Sequence, residues 1–174
     1  MGNRDAHPAT LDAEALLHQC RIERTRRSGP GGQHRNKVET AIVLHHEPTG
    51  TAAEASERRS QKENQRIALQ RLRLRLATHH RRPLEDGADT HEPSPLWRSR
   101  LKGGRIVVSA THADFPALLA EAMDVLAACE DEPAEAAARL GCSTSQLIKL
   151  LKLHPPAFAG INRARTARGR HALK

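Results

Sequence analysis

Hydrophobic and polar positions in the first part of the chain follow patterns that predict a helix and three strands. Leu, Ala and Glu dominate residues 11–17 and favour a short helix. "CRIERTRR" and "VETAIVLHHE" alternate as half-exposed strands do, and "TGTAAEAS" does so more weakly. Because the turn residues "EPTG" separate the last two, the sequence predicts a β-hairpin there.

Residues 60–77 have helical spacing, since Ala68, Leu69, Leu72 and Leu76 fall on one face of a helix. "RLRLRLA" within this stretch also fits a period of two, which leaves a strand as the alternative there. The following "HHRRPLEDGADTHEPSPLW" is rich in proline and acidic residues and has no period. It predicts a linker or irregular loop over 81–104, after which "RIVVSA" predicts one isolated strand.

The remaining chain is predicted to be mainly helical. Residues 115–129 have amphipathic spacing, and "DEPAEAAARLGCSTSQLIKLLKLHPP" predicts two helices joined by a turn at Gly141. Ser143 and Gln146 form a capping box at the start of the second helix, and "HPP" ends it. This is a helix-turn-helix pattern, which fits either a packed helical hairpin or a module that reads nucleic acid.

The charge balance narrows the class of partner. There are 28 Lys and Arg against 20 Asp and Glu, a net charge of +8, and a sequence pI near 10.2. No acidic side chain follows Glu135. A polyanion is therefore the expected partner, and nucleic acid is the first candidate. Aromatic residues make up only 2% of the chain, which argues against base recognition on aromatic platforms.

Cys20, Cys129 and Cys142 have no C-x-x-C spacing, so neither a disulfide framework nor a zinc ribbon is expected. The chain's first residues, "MGNRDAHPATLDAEALL", contain no long apolar run, which argues against secretory and membrane-spanning segments. We therefore expect a cytoplasmic protein that does not associate with membranes. Adjacent histidines at 45–46 and 79–80 lack the further ligands of a metal site and are expected to be solvated polar residues.

Residues 28–36, "SGPGGQHRN", form a glycine-rich loop. The loop lacks both the Gly-Lys-Ser/Thr ending of a P-loop and the G-x-G-x-x-G spacing of a dinucleotide site. Basic residues surround it and are candidates for RNA phosphate contacts: Arg24, Arg26, Arg27, Arg35 and Lys37.

The stretch "RSGPGGQHRNKVETAIVLHHEPTGTAAEASERRSQKENQRIAL" resembles the catalytic domain of class I peptide-chain release factors, whose hallmark is a Gly-Gly-Gln tip. The resemblance covers roughly residues 20–77. It implies that Gly31, Gly32 and Gln33 enter the peptidyl-transferase centre and promote hydrolysis of the peptidyl-tRNA ester. The resemblance further implies that the two glycines allow close approach to ribosomal RNA and that the backbone N–H of Gln33 donates to the developing oxyanion.

Because a chain of 174 residues lacks space for a stop-codon-reading domain, the resemblance is to the short, codon-independent relatives that rescue stalled ribosomes. It implies the ribosome and peptidyl-tRNA as partners: large-subunit RNA and, in the best-known type, the small-subunit mRNA channel. The basic end "NRARTARGRHALK" resembles such a relative's tail, so Arg163, Arg165, Arg168 and Arg170 are further RNA-binding candidates. No cofactor or metal is expected, and we expect a monomer.

Together these features predict an α+β fold: a small mixed β-sheet packed on a long helix, a protruding Gly-Gly-Gln loop and a mainly helical C-terminal extension. The expected divisions are a catalytic domain over 10–80, a linker over 81–104 and a helical basic region over 105–174. The competing hypothesis is a helix-turn-helix module that binds nucleic acid and has no hydrolase activity.

Overall fold

The computed structural model describes residues 6–25, 40–84 and 91–174. The chain divides into two compact units, residues 1–76 and 77–174. Both helices and strands occur among the described residues, which confirms the predicted α+β class. None of the described helices combines the length and apolar character needed to cross a bilayer.

The first unit holds a three-stranded sheet. A short 3-10 helix, Pro8–Thr10, and helix α1, Ala13–His18, precede strands β1 (Cys20–Thr25), β2 (Ala41–His46) and β3 (Thr51–Ala55). The strand order is β1-β2-β3 and both pairings are antiparallel, so the prediction of a mixed sheet is wrong. For β2 and β3 the physical reason is their short connection, since a tight turn can return the chain only in the antiparallel direction.

The predicted hairpin is confirmed. His46 and Thr51 are register partners, and Gly50 between them has φ 67° and donates its N–H to the His46 carbonyl over 2.9 Å. A positive φ is cheap for glycine, which is why the chain can turn at this position.

Helix α2, Gln61–His79, confirms the helical interpretation of the "RLRLRLA" stretch. The predicted core face is buried at Ala68, Leu69, Leu72 and Leu76. The arginines between these leucines donate to backbone carbonyls of neighbouring elements: Arg71 to Glu54, Arg73 to Leu11 and Arg75 to Ala52. The period of two therefore reflects cations that tie the helix to β3 and to the start of α1.

The second unit contains more structure in residues 81–104 than the linker prediction allowed. Helix α3, Pro95–Arg100, starts at Ser94, whose hydroxyl accepts from the Trp97 N–H over 3.0 Å. Trp97 is buried, and its indole N–H donates to the Leu140 carbonyl over 2.8 Å. Six residues are too few to show a helical period in the sequence, which is why the linker prediction missed this helix.

The prediction of one isolated strand at "RIVVSA" is wrong. Strand β4, Leu101–Lys102, pairs antiparallel with β5, Arg105–Ile106, around Gly103 and Gly104, which have φ 53° and 73°. The pair forms because the two glycines supply a turn that links Arg105 back to Lys102.

Four helices complete the second unit: α4 (Phe115–Ala128), α5 (Pro133–Arg139), α6 (Thr144–Lys152) and α7 (Pro155–Ala167). The helix-turn-helix pattern is present as α5 and α6, with Gly141 at φ 66° and the Ser143 hydroxyl accepting from the Gln146 N–H over 3.3 Å. Leu147, Leu150 and Leu151 bury one face of α6, as a packed helical hairpin requires.

Helix α7 corrects the expectation of a free basic tail. "HPP" ends α6 as predicted, but Pro155 and Pro156 also open α7, whose residues extend into the sequence assigned to the tail. Proline favours the first helical turn because its missing N–H would have no partner there and its φ is already helical. The same two prolines therefore separate two helices instead of releasing the chain.

His154 lies between α6 and α7, and burial, with a smaller contribution from the charge of His79, lowers its pKa. A depressed folded-state pKa means that the contribution to stability is present above the unfolded-state pKa of about 6.5 and is lost as the pH falls through the folded-state pKa. We expect His154→Gln to lose less stability than the wild type between about pH 7.5 and 5.5. Urea unfolding of both proteins at both pH values measures the free energy of unfolding that each loses. Equal losses in the two proteins would contradict the prediction.

Candidate functional site

The two ends of the glycine-rich segment lie side by side in the sheet. Thr25, the last residue of β1, and Ala41, the first of β2, are register partners. The predicted catalytic residues Gly31, Gly32 and Gln33 lie outside the described residues, as do Arg26, Arg27, Arg35 and Lys37. The structure therefore places the base of this segment: the chain leaves the sheet and returns to it at the same end.

Strand β1, which leads into this segment, is an edge strand whose residues 21–24 are all exposed. The Glu23 carboxylate lies 3.6 Å from the Arg21 guanidinium and 3.3 Å from the His45 ring. None of the ion pairs among the described residues includes Arg24, the one member of the predicted basic group around the loop that the structure describes. Arg24 thus presents an exposed cation next to the end of the strand, where a phosphate can reach it.

The other end of the segment is held by Asn64 of α2, which is fully buried. Its side-chain amide donates to the Thr40 carbonyl over 2.6 Å and to the Arg58 carbonyl over 2.8 Å. Its oxygen accepts from the Arg58 N–H over 2.9 Å. Thr40 immediately precedes β2, so this single side chain joins the returning end of the glycine-rich segment to the helix and to the turn after β3.

A second contact fixes that turn. Arg71 of α2 binds the Glu57 carboxylate and donates to the Glu54 carbonyl, while Glu57 also accepts from the Ser56 N–H over 2.9 Å. The hydrogen bond from Arg71 is the main cause that lowers the pKa of Glu57. Asn64 therefore binds a turn that is itself held to the same helix.

The role of Asn64 is absent from the sequence prediction, although "ERRSQKEN" forms part of the resemblance. One signal could have found it: Asn64 is spaced four residues from Ala68 and eight from Leu72, on the face that the structure buries. A buried amide at such a position needs hydrogen-bond partners, because an unsatisfied polar group in a core is costly.

His46 corrects the expectation that the paired histidines are solvated. It occupies an inward position of β2 with Ile42 and Leu44 and is fully buried. Its ring nitrogens lie 2.7 Å from the Thr49 hydroxyl and 2.9 Å from the Gln19 amide oxygen. His46 thus closes the end of the sheet opposite the glycine-rich segment. Within the described ranges, no three His, Cys, Asp or Glu side chains are grouped as a metal site would require.

The predicted RNA-binding residues of the C-terminal region separate into two groups. Arg165 is buried and donates to the carbonyls of Asp131 over 2.5 Å and His171 over 3.1 Å. Arg168 pairs with the Asp131 carboxylate over 2.9 Å, and Arg170 lies 3.5 Å from that of Glu130. These three arginines hold the turn between α4 and α5, where Glu130 and Asp131 have φ 50° and 62°.

Arg163 is exposed and differs from the other three because it belongs to no ion pair that the structure describes. Sequence could not separate these residues, since the acidic turn that binds the other arginines lies more than thirty positions earlier in the chain.

Comparison with known proteins shows which family has this arrangement. The model of the RF-1 domain matches residues 12–102, which include α1, the three-stranded sheet, the whole glycine-rich segment and α2. Helices α4 to α7 lie after the matched residues.

The curated proteins similar to this chain agree with the family match. Over 70 residues the chain is 43% identical to "Peptide chain release factor 1, mitochondrial" of Bos taurus, covering 40% of this chain and 16% of the relative. Over 93 residues it is 36% identical to "Peptide chain release factor 2" of Sulfurovum sp. (strain NBC37-1), covering 53% and 26%. A third, "Peptide chain release factor 2" of Variovorax paradoxus (strain S110), is 40% identical over 85 residues, covering 49% and 23%. The chain therefore spans about a quarter or less of the length of these relatives.

Proposed function

This chain belongs to the RF-1 domain family, the catalytic domain of class I peptide-chain release factors, and we propose that it hydrolyses the ester of peptidyl-tRNA on the ribosome. The observation that carries the proposal is the match over residues 12–102, which includes Gly31, Gly32, Gln33 and the strands that bracket them. The partners in this proposal are peptidyl-tRNA and large-subunit ribosomal RNA, and the location is the cytoplasm.

In the proposed reaction, water attacks the ester carbonyl, and the tRNA 3′ oxygen leaves with a proton as the peptide acid forms. The Gln33 backbone N–H donates to the oxyanion that develops on the carbonyl oxygen, and its side chain helps to position the water. An amide cannot accept a proton as a general base does, so the protein contributes orientation and charge stabilisation. Gly31 and Gly32 lack the Cβ atoms that would hold the backbone away from the RNA.

The described residues support this role by holding the ends of the catalytic segment. Asn64 fixes Thr40 at one end, and the ladder between β1 and β2 fixes Thr25 at the other. Arg24, exposed beside Thr25, can neutralise an RNA phosphate near the base of the segment. Small displacements at the reacting atoms cost large factors in rate, so a fixed base is what a positioning mechanism requires.

We propose further that release does not depend on a stop codon and serves to rescue stalled ribosomes. The second unit supports this, because no carboxylate side chain follows Glu135. Arg165, Arg168 and Arg170 bind the turn between α4 and α5, and the exposed cations that remain are Lys149, Lys152, Arg163 and Lys174. Such a charge distribution suits contact with RNA of any sequence, since phosphate contacts do not read bases.

The experiment that tests both parts measures release of labelled peptide from purified ribosome complexes with an empty, a stop-codon and a sense-codon A site. We expect release with the empty A site and no preference for the stop codon, and we expect the matched Gly32→Ala protein to be inactive. Release confined to the stop-codon complex would overturn codon independence but would still support the hydrolase activity. Equal background release by the wild type and Gly32→Ala would overturn the hydrolase.

A further inference from the structure

Phe158 is the aromatic residue that the cores of this protein do not account for. The chain contains one Trp, two Phe and no Tyr. Trp97 and Phe115 are each 1% exposed, whereas Phe158 is only partly buried on α7. Because the chain has so few aromatic side chains, a ring at the surface points to a binding role more strongly than an exposed leucine would.

The surroundings of Phe158 are basic. A shallow, open groove of about 690 Å³ lies along the end of α6 and one face of α7, and Lys152, Phe158, Ala159 and Arg163 line it. Neither these residues nor the others that line the groove include a carboxylate. The Lys152 Nζ lies 5.6 Å from the centroid of the Phe158 ring, within the range of a cation–π contact.

The polar uncharged members of the groove already have partners. The Asn162 amide donates to the Leu173 carbonyl over 3.3 Å and its oxygen accepts from the Leu173 N–H over 2.8 Å. The Thr166 hydroxyl donates to the Asn162 carbonyl over 2.9 Å. What the groove offers a ligand is therefore a partly exposed aromatic ring with two exposed cations, Lys152 and Arg163.

We propose that this groove binds an unpaired RNA nucleotide, with the base stacked on Phe158 and the adjacent phosphates held by Lys152 and Arg163. Stacking on an aromatic ring combined with phosphate contacts is how proteins bind single-stranded nucleic acid without reading its sequence. The proposed site departs from the expectation from composition, which argued against base recognition on aromatic platforms, because one well-placed ring is sufficient for one base. It rests on the proposed function in that ribosomal RNA would supply the nucleotide.

The test measures binding of the full chain to a fluorescent single-stranded oligouridylate across a salt series. We expect Phe158→Leu to weaken binding by about 5- to 150-fold and Phe158→Trp to retain it. We expect Lys152→Gln and Arg163→Gln each to reduce the salt dependence by a slope of about 0.7, the value for one phosphate of a single strand.

Arg98→Gln is the matched control. Arg98 is an exposed arginine of the same unit that does not line the groove, and its removal changes the net charge by the same amount. We expect Arg98→Gln to leave the salt slope unchanged. Circular dichroism of each variant confirms that it is folded, and the two charge variants test the site independently should Phe158→Leu fail to fold.

Any one of four results would overturn the site. These are unchanged binding by folded Phe158→Leu, unchanged salt slopes in both charge variants, equal binding of an RNA duplex that is insensitive to Phe158, and displacement of the RNA by polyglutamate at equal charge concentration. Peptide release is measured separately on ribosomes. If wild-type protein releases peptide while Phe158→Leu binds RNA normally, the groove proposal is wrong and the hydrolase stands. If RNA binding depends on Phe158 but wild-type protein releases no peptide, the hydrolase is wrong and the groove stands.

Discussion

Gln33→Pro should reduce the rate of peptide release by about 100- to 1,000-fold, the cost of losing one oxyanion donor in other enzymes. Proline has no backbone N–H, whereas alanine keeps it, so Gln33→Ala should be much milder if the backbone donor carries the reaction. Gly31→Ala and Gly32→Ala should be as severe as proline, because a Cβ prevents close approach to the RNA. Single-turnover release from saturated ribosome complexes measures all four rates.

The controls for these variants are the far-ultraviolet circular dichroism spectrum and ribosome binding, both of which should match the wild type. Equal, modest effects of alanine and proline at position 33 would rule out the backbone donor. Full activity in all four variants would remove the hydrolase proposal altogether.

The parts of the fold that sequence predicted are those governed by local periodicity and turn chemistry. The hairpin between β2 and β3 follows from alternation around Pro48 and Gly50. Helix α2 follows from leucines spaced along one face, and the cap of α6 follows from Ser143. In each case the signal lies within a few residues of the structure that it predicts.

The parts that sequence could not predict depend on residues far apart in the chain. Whether Arg165 faces solvent or the fold is decided by the Asp131 carbonyl that it reaches. His46 is buried against Gln19, and the Trp97 indole N–H of α3 donates to the carbonyl of Leu140, 43 positions later in the chain. Local sequence patterns do not reveal such distant partners. A run of basic residues that resembles a free tail can therefore be part of a folded helix.

The candidate site also has a part that the local sequence predicts and a part that depends on distant residues. The resemblance supplied Gly31, Gly32 and Gln33 from a local motif, but it did not say how the segment is held. Asn64 was found only from three hydrogen bonds, two of them to Arg58 and one to Thr40. Its contribution to release is therefore the prediction that depends most directly on the structure.

Asn64→Ala should lower the rate constant for peptide release at saturation by at least about tenfold, because it frees Thr40 at the end of the catalytic segment. It should also destabilise the protein, since each buried backbone group left without a partner costs about 1–3 kcal/mol. Leu72→Ala is the matched control: Leu72 is fully buried on the same helix, and its truncation costs about 2–5 kcal/mol without touching Thr40. Measured where both variants are folded, release by Leu72→Ala should match the wild type.

Asn64→Asp distinguishes positioning from simple loss of stability through pH. When ionised, the introduced side chain would place a carboxylate against the Thr40 and Arg58 carbonyls, to which the amide now donates over 2.6 and 2.8 Å. Burial against these oxygens raises the folded-state pKa of the new carboxyl above the usual value of about 3.9, so the variant is stabilised as the pH falls and loses stability as it rises toward neutrality. A protonated acid regains one donor, so release relative to the wild type should recover from about pH 8 to pH 5.5. If the ratio of release by Asn64→Asp to release by the wild type does not change across this range, and Asn64→Ala is as active as Leu72→Ala, then Asn64 contributes to stability and not to positioning.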